Sequence, residues 1–522
     1  TEAFAQDTLD NSIEQKLENL AENSENEEDD YTSLIETLDF YRKHPINLNN
    51  TNPTQLAELG ILDELQIENL LSHIDKNGRL LSPYELQSID GFPTHTIKKL
   101  LPYIKVADIT EEPPASLQEV MRKGNHEFTF RGQQVLEEQA GFSPIDSAGI
   151  SESPNSRYIG SRQKIYSHYK FSYGNNVSAG ITAEKDAGEL FFRNNKKFNS
   201  SGYDSLLNGE QKTGFDFYSA HFFIKNIRFI KALAIGDYQV GFGQGLTSWS
   251  GLAYGKSSEA VNIKRTSSGI RPYTSVDENR FMRGVAITAG TNQLQATGFF
   301  SRKKLDANII YSDSSNTSQI SSLQTTGLHS TPSEISDRNA VTQTILGGNI
   351  SYKKRKYSFG LTAMHTLFDV ELKRSTSTYN QFEFSGKQLT NLGADYSFLL
   401  RNFNFFGEVS FSAPNVLQVS PEGGDLEGAG LAVLNGCIIS LDPKLSLSLL
   451  HRSYQRNFHS LSANAFSESS KPANEQGFYV GITAQPTSYL NINAYYDHFK
   501  FPWLKYQVDA PSSGSEFVVQ IN

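Results

Sequence analysis

The sequence predicts a mainly β protein, an antiparallel transmembrane β-barrel of about sixteen visible strands preceded by a small all-α domain. From about residue 126 onward, apolar side chains recur at every second position, which is the period of a β-strand. Tight turns alternate there with long polar segments, an asymmetry typical of bacterial barrels with short periplasmic turns and long outer loops. The mean hydropathy of −0.44 is compatible with this class, because lumen and loop residues dilute the lipid-facing ones.

The N-terminal part of the chain is strongly acidic. Residues 1–45 carry 13 Asp and Glu against 3 Lys and Arg, which predicts a mobile or single-helix leader, with a solvated tail as the simplest interpretation. Ala3-Phe4-Ala5 fits the small-residue cleavage site of a secretory signal peptide, so residues 1–5 are interpreted as its remnant. Cys437 is the only cysteine, and this excludes an intrachain disulfide and a cysteine-based metal cluster.

Residues 46–106 have helical periodicity and the signals that begin and end helices. Thr51 or Asn52 is expected to cap a helix starting at Pro53, and Ser82 with Glu85 has the spacing of a capping box. Gly78 and the Gly91-Phe92-Pro93 stretch interrupt the apolar pattern. The segment therefore predicts four short helices in two hairpins, followed by a linker at residues 107–125.

This segment resembles the tandem helix-hairpin-helix modules of competence proteins, through Leu59-Gly60-Ile61, Glu85 to Phe92 and Leu101-Pro102. In DNA-binding members, a Gly-hydrophobic-Gly turn presents backbone N–H groups to a phosphate. Both second glycines are replaced here, and Asp63 and Glu64 follow the first turn. These differences argue against nucleic acid, so we expect the two hairpins to dock on other envelope proteins. The candidate docking residues are Gly60, Ile61, Leu62, Gly91, Phe92 and Pro93.

Residues 126–522 are predicted to form the barrel, with the first strand near Glu127 and the last from Ser515 to Asn522. Alternating apolar residues flank short turns at Lys353 to Lys356, Arg401-Asn402 and Lys225-Asn226, among others. The long segment 238–282 is expected to be an outer loop that could hide a further hairpin. Lipid forbids unpaired strand edges, so the sheet must close. We also expect that further strands can follow Asn522 in the full gene product.

The whole arrangement resembles a family of uncharacterised outer-membrane proteins of Bacteroidota, through Gly236 to Leu246 and Ser275 to Gly284. The resemblance implies an outer-membrane location, with lipid as a partner and the helical domain in the periplasm. The charged residues of this region predict an ion-pair cluster that either anchors a folded loop or constricts the lumen. Its members are Arg271, Asp277, Glu278, Arg280 and Arg283.

No catalytic set is recognisable, since Ser248 and Ser250 lack the context of a nucleophile elbow. None of the histidines considered forms a pair four residues apart that suits zinc; they are His168, His221, His365, His451, His459 and His498. We therefore predict a non-enzymatic protein with no catalytic residues, no cofactor and no metal. The first hypothesis is a structural or accessory subunit of an envelope complex for protein export or outer-membrane assembly. The alternatives are a pore or transporter for a small solute, and DNA uptake.

Overall fold

The computed structural model describes residues 32–51, 53–107, 117–174, 176–191, 214–251, 255–257, 259–312, 317–414, 428–487 and 489–522. Among these residues, no helix combines the length and the hydropathy that a bilayer crossing requires.

A helical domain precedes the sheet and has a hydrophobic core of its own. Its α-helices are α1 (Thr32–Lys43), α2 (Pro53–Glu58), α3 (Glu64–Asn77) and α4 (Thr94–Leu100), with 3-10 turns at Leu48–Asn50, Pro83–Ser88 and Leu101–Tyr103. Leu56, Leu70, Leu86 and Leu100 are all fully buried in this core. A short parallel strand pair, Ile46–Asn47 with Ile104–Lys105, joins the two ends of the domain.

Two helix starts show how the local sequence sets this domain. The side chain of Asp63 accepts a hydrogen bond from the backbone N–H of Gln66. The side chain of Gln66 in turn accepts one from the backbone N–H of Asp63, and this capping box begins α3. The predicted box of Ser82 and Glu85 is also present, although it begins a 3-10 helix. Asn52, a predicted cap of α2, lies outside the described residues.

The predicted end of the leader at residue 45 is wrong. Residues 32–43 form helix α1, and its Leu38 and Tyr41 are 1% exposed within the core of the helical domain. The abundance of acidic residues hid two apolar side chains spaced three apart, which suffice to bury one face of a short helix.

Sixteen strands form the wall of the barrel within the described residues. They are β1 (Asn125–Gln133), β2 (Lys164–Tyr173), β3 (Val177–Lys185), β4 (Phe217–Ile227), β5 (Ile230–Gly241), β6 (Met282–Gly290), β7 (Leu294–Leu305), β8 (Val341–Lys354), β9 (Tyr357–Leu372), β10 (Gly386–Leu400), β11 (Phe403–Pro414), β12 (Gly430–Asp442), β13 (Leu445–Tyr454), β14 (Glu475–Thr487), β15 (Leu490–Phe501) and β16 (Ser512–Ile521). An antiparallel register joins each of these strands to the next.

Three shorter strands belong to the long connections. Gly269–Pro272 pairs with the end of β5, and Ala307–Ser312 pairs with Thr317–Leu323 as a hairpin beyond β7. The helix α5 (Leu117–Lys123) precedes β1, while α6 (Ser147–Glu152) and α7 (Pro332–Asp337) lie in long connections.

The alternating pattern of the sequence separates the two faces of the wall, as β9 illustrates. Phe359 and Leu361 are 51% and 63% exposed, whereas Thr362, Met364 and Thr366 are at most 5% exposed. Exposed apolar side chains recur on the same outer face of other strands, including Ile181, Ile235, Leu346, Leu392 and Phe478. An apolar exterior around a polar interior is the arrangement of a barrel in lipid.

The last and first strands, β16 and β1, are neighbours in the order of the barrel. Their adjacency closes the sheet into a barrel, as predicted for a wall in lipid. All nine residues of β1 are exposed.

The tight turns lie at one end of the barrel, called here the tight-turn end, and the long connections lie at the other, the long-loop end. One predicted turn is displaced. The chain turns at Arg228-Phe229 rather than at Lys225-Asn226, because β4 continues to Ile227 and pairs there with Ile230. Asn226 and Arg228 both adopt the left-handed conformation, with φ of 58° and 53°, which a tight connection requires.

Candidate functional site

The connection after β5 folds into the lumen. We call its described residues between 242 and 268 the plug segment, namely 242–251, 255–257 and 259–268. Leu246 and Ile263 pack in one apolar cluster with Phe406, Leu434 and Leu450, which β11, β12 and β13 direct inward. Every residue from Phe242 to Trp249 is buried. The expectation of an outer loop at 238–282 is therefore wrong, because β5 continues to Gly241 and the chain then enters the barrel.

One carboxylate of the wall holds the start of the plug segment. Glu408 on β11 accepts the backbone N–H groups of Gln244 at 2.6 Å, Leu246 at 3.1 Å and Thr247 at 2.9 Å. The hydroxyl of Thr247 donates a fourth bond to it at 2.7 Å. Gly243 makes this approach possible, since its φ is 60° and a Cβ there would lie 2.6 Å from the Glu408 carboxylate. Four converging donors satisfy a carboxylate that is 2% exposed.

A second group of buried charges holds the middle of the plug segment. Lys256 forms ion pairs with Asp497 at 2.8 Å and Glu516 at 2.7 Å, and with Glu468. Asp497 also accepts two bonds from Arg452, at 2.8 and 2.9 Å. Because Lys256, Asp497 and Arg452 are almost completely buried, each depends on its partners to offset the cost of desolvation.

The helical domain lies across the tight-turn end of the barrel. Glu64, the first residue of α3, forms an ion pair with Lys264 of the plug segment at 2.5 Å. Arg355, in the turn between β8 and β9, forms ion pairs with Glu68 at 2.8 Å and with Asp75. The helical domain is therefore tied both to the wall and to the plug segment.

A chamber of about 2610 Å³ lies between the helical domain and the plug segment. Its lining contains thirteen Lys and Arg residues against six Asp and Glu residues, although the whole chain has a formal charge of −10. The cations are Lys98, Lys99, Lys170, Lys225, Lys231, Lys264, Arg265, Arg271, Lys353, Lys354, Arg355, Lys356 and Lys444. A cavity with one dominant sign of charge concentrates counterions of the other sign.

The structure places the two predicted docking hairpins differently. Gly60, Ile61 and Leu62 line the chamber, so the first hairpin faces the barrel of its own chain. In the second hairpin, Phe92 is 6% exposed and belongs to the core of the helical domain, while Pro93 lines the chamber. Gly91 has a φ of 86°, as expected of a turn that only glycine adopts easily. Docking of these residues on another protein stays a prediction.

The five residues of the predicted ion-pair cluster do not form one cluster. Asp277 and Arg280 pair at 3.6 Å, but Arg283 instead binds Asp237 of β5, at 2.7 Å. Arg271 lines the chamber. Glu278 lies beside other acidic side chains at the long-loop end.

That acidic group surrounds His329, which the sequence analysis did not select. The ring of His329 bonds to Asp216 at 2.6 Å and to Asp306 at 2.9 Å. Burial lowers the pKa of His329, but these two hydrogen bonds outweigh burial and raise it to about 11. Burial, and next the charge of Asp216, raise the pKa of Glu278 to about 9 and that of Glu189 to about 8. No local sequence pattern marks this acidic group, because its members are separated by up to 140 positions along the chain.

The wall, its apolar exterior and its polar, occupied lumen define an outer-membrane β-barrel, in which a segment of the chain blocks the lumen. No family model matches the sequence, and no curated protein matches it either. Among solved structures, the chain is similar to an anion-selective porin from Comamonas acidovorans, with 11% identity, a TM-score of 0.32, and coverage of 69% of this chain and 89% of that one. It is also similar to the outer-membrane protein OmpT of Vibrio cholerae, with 10% identity, a TM-score of 0.31, and coverage of 76% and 98%. A third is the outer-membrane channel DcaP of Acinetobacter baumannii, with 10% identity, a TM-score of 0.29, and coverage of 69% and 84%.

Proposed function

We propose that the protein is a gated outer-membrane channel for small anionic solutes, with the helical domain on the periplasmic side. The excess of cations around the chamber is the observation that carries this proposal. Lumen cations attract anions and select them during passage, as charged rings do in other pores. The plug segment and the helical domain act as two gates, because both obstruct the path and both are held largely by ion pairs and hydrogen bonds.

Selectivity in planar bilayers tests the proposal. The zero-current potential of the channel under a potassium chloride gradient should have the sign of anion preference. Lys170→Glu with Lys353→Glu, both in the chamber lining, should reduce or reverse that potential. Lys304→Glu with Lys373→Glu changes the formal charge equally at exposed positions outside the lining and should leave the potential unchanged. A channel that prefers cations, or one indifferent to the chamber variants, would contradict the proposal.

A structural or accessory subunit remains the second candidate function, and one feature favours it. Leu81 and Tyr84, at the 3-10 turn of the helical domain, are 89% and 67% exposed and lie outside the chamber. Exposed large apolar side chains next to each other are typical of protein contacts. If the protein is such a subunit, pull-down from native membranes should recover a partner, and the double variant Leu81→Ser with Tyr84→Ser should fail to recover it. Bilayer recordings should then show no conductance, even after the plug segment is loosened.

A further inference from the structure

The acidic group around His329 has the geometry of a metal site. Its members come from two connections at the long-loop end, with Glu278 in one and Asp306 and His329 in the other. Glu278 precedes β6, Asp306 follows β7, and His329 lies between the short hairpin and α7. One ligand atom each from Glu278, Asp306 and His329 lie within 4.8 Å of one another.

His329 is oriented as a metal-binding histidine is. Its Nδ1 faces the Asp216 carboxylate at 2.6 Å, and Arg338 holds the other oxygen of that carboxylate at 3.1 Å. The backbone N–H of His329 donates to Glu189 at 3.0 Å, which fixes the position of the residue. A carboxylate that accepts the Nδ1–H of a histidine fixes its tautomer and leaves the Nε2 lone pair for a metal.

The opposite side of the ring carries the remaining ligands. Nε2 of His329 lies 2.9 Å from Oδ2 of Asp306, whose Oδ1 accepts the backbone N–H of Asn339 at 2.7 Å. Glu278 reaches the same place, with its side chain against Gly327. His329 is 3% exposed whereas Glu278 is only partly buried, so Glu278 lies on the side from which an ion can enter.

We propose that Nε2 of His329 and the carboxylates of Glu278 and Asp306 bind one divalent first-row transition-metal ion of the Zn²⁺ class, with water completing its coordination. One imidazole nitrogen and two carboxylate oxygens match the ligands this class takes, whereas Ca²⁺ takes oxygen ligands alone. The ion would replace the proton that otherwise joins His329 to Asp306. It would fasten the connection between β5 and β6 to the connection between β7 and β8.

Metal content and affinity of the full chain in detergent test this proposal. After treatment with a chelator and titration with zinc chloride, the protein should retain one Zn²⁺ at this site, by calorimetry and elemental analysis. Glu278→Gln should weaken the binding on the order of 10–100-fold or more, as losses around metal sites do. Glu371→Gln, at the end of β9 and outside the cluster, is the matched control and should bind as the unaltered protein does.

Two further arms guard against indirect effects. His329→Gln should abolish the site, and circular dichroism and heat-modifiable migration in gels check that the variant folds. Ca²⁺ should not displace Zn²⁺ at equal concentration. Absence of retained Zn²⁺, equal affinity in Glu278→Gln, or equally tight binding of Ca²⁺ would overturn the proposal and leave a proton-bridged ion pair in its place.

Discussion

Replacing Glu408 by glutamine should release the start of the plug segment from the wall. In the native protein, one oxygen of Glu408 accepts the N–H groups of Gln244 and Leu246, and the other accepts both donors of Thr247. The glutamine amide keeps one accepting oxygen but places an NH₂ group against the second pair of donors. Two hydrogen bonds to residue 408 are therefore lost. The N–H group of Thr247 remains without an acceptor in a dry site, whereas its hydroxyl can donate to Ser410, 3.0 Å away.

The size of the effect follows from the charge of the acceptor. A hydrogen bond to a charged group contributes about 1.5–3 kcal/mol, so the loss of the Thr247 N–H bond should cost about 1.5–3 kcal/mol. Since about 1.4 kcal/mol is a factor of ten in an equilibrium, the open state of the plug segment should become about 10–100-fold more populated. The substitution conserves the shape of the side chain, so the wall of the barrel should remain folded.

Single-channel recording in planar bilayers measures this change directly. Glu408→Gln should show conductance steps that the unaltered protein shows rarely, and limited proteolysis should cleave within residues 242–268 faster. Glu371→Gln removes one carboxylate from β9 without touching the plug segment, and it should behave as the unaltered protein does. If Glu408→Gln leaves both conductance and cleavage unchanged, these four hydrogen bonds do not hold the plug segment closed.

Three further substitutions test other parts of the structure. Leu70→Ala, at a fully buried position of α3, should destabilise the helical domain by about 2–5 kcal/mol. Urea unfolding followed by circular dichroism measures this change, and a loss below about 1 kcal/mol would refute the place of Leu70 in the core. Arg355→Glu should loosen the contact of the helical domain with the barrel and speed proteolysis of that domain. Arg401→Glu, in another tight turn, should not change the rate of proteolysis. Equal rates in the two variants would show that the ion pairs of Arg355 do not hold the helical domain on the barrel. Arg452→Met leaves the buried Glu475 without its cation and Asp497 with Lys256 alone, and it should cost about 3–5 kcal/mol. The loss should appear as a lower temperature at which heat-modifiable migration in gels disappears, and an unaltered temperature would be the contrary result.

Much of the barrel could be predicted because its signal is local. In a strand, alternate side chains face opposite sides, so the pattern of Phe359, Leu361 and Thr362 assigns each residue to lipid or lumen without knowledge of its neighbours. The end of a strand is also set by neighbouring residues. The strand that contains Asp395 to Leu400 ends at the turn predicted for it, Arg401-Asn402. The turn after β4 was misplaced because Lys225 and Asn226 are polar in a strand that continues.

The candidate site could not be predicted in the same way. In the sequence, Glu408 is one more polar residue of an alternating strand. Its four hydrogen-bond donors come from residues more than 160 positions earlier. His329 gains its role from Asp216, which belongs to another connection, and from Asp306, which lies 23 positions earlier in its own connection. Arg283 was grouped with its near neighbours in sequence, yet its partner Asp237 lies on the adjacent strand.

The sequence alone determined that a helical domain precedes a barrel with apolar and polar faces, because backbone hydrogen bonding and the two-residue and 3.6-residue periods operate over a few neighbouring positions. Only the tertiary structure decided that the plug segment enters the lumen, that the helical domain lies across the tight-turn end, and that a chamber rich in cations lies between them. Buried charges are satisfied by whichever partners the fold brings within about 3 Å, and no periodicity along the chain records which partners those are.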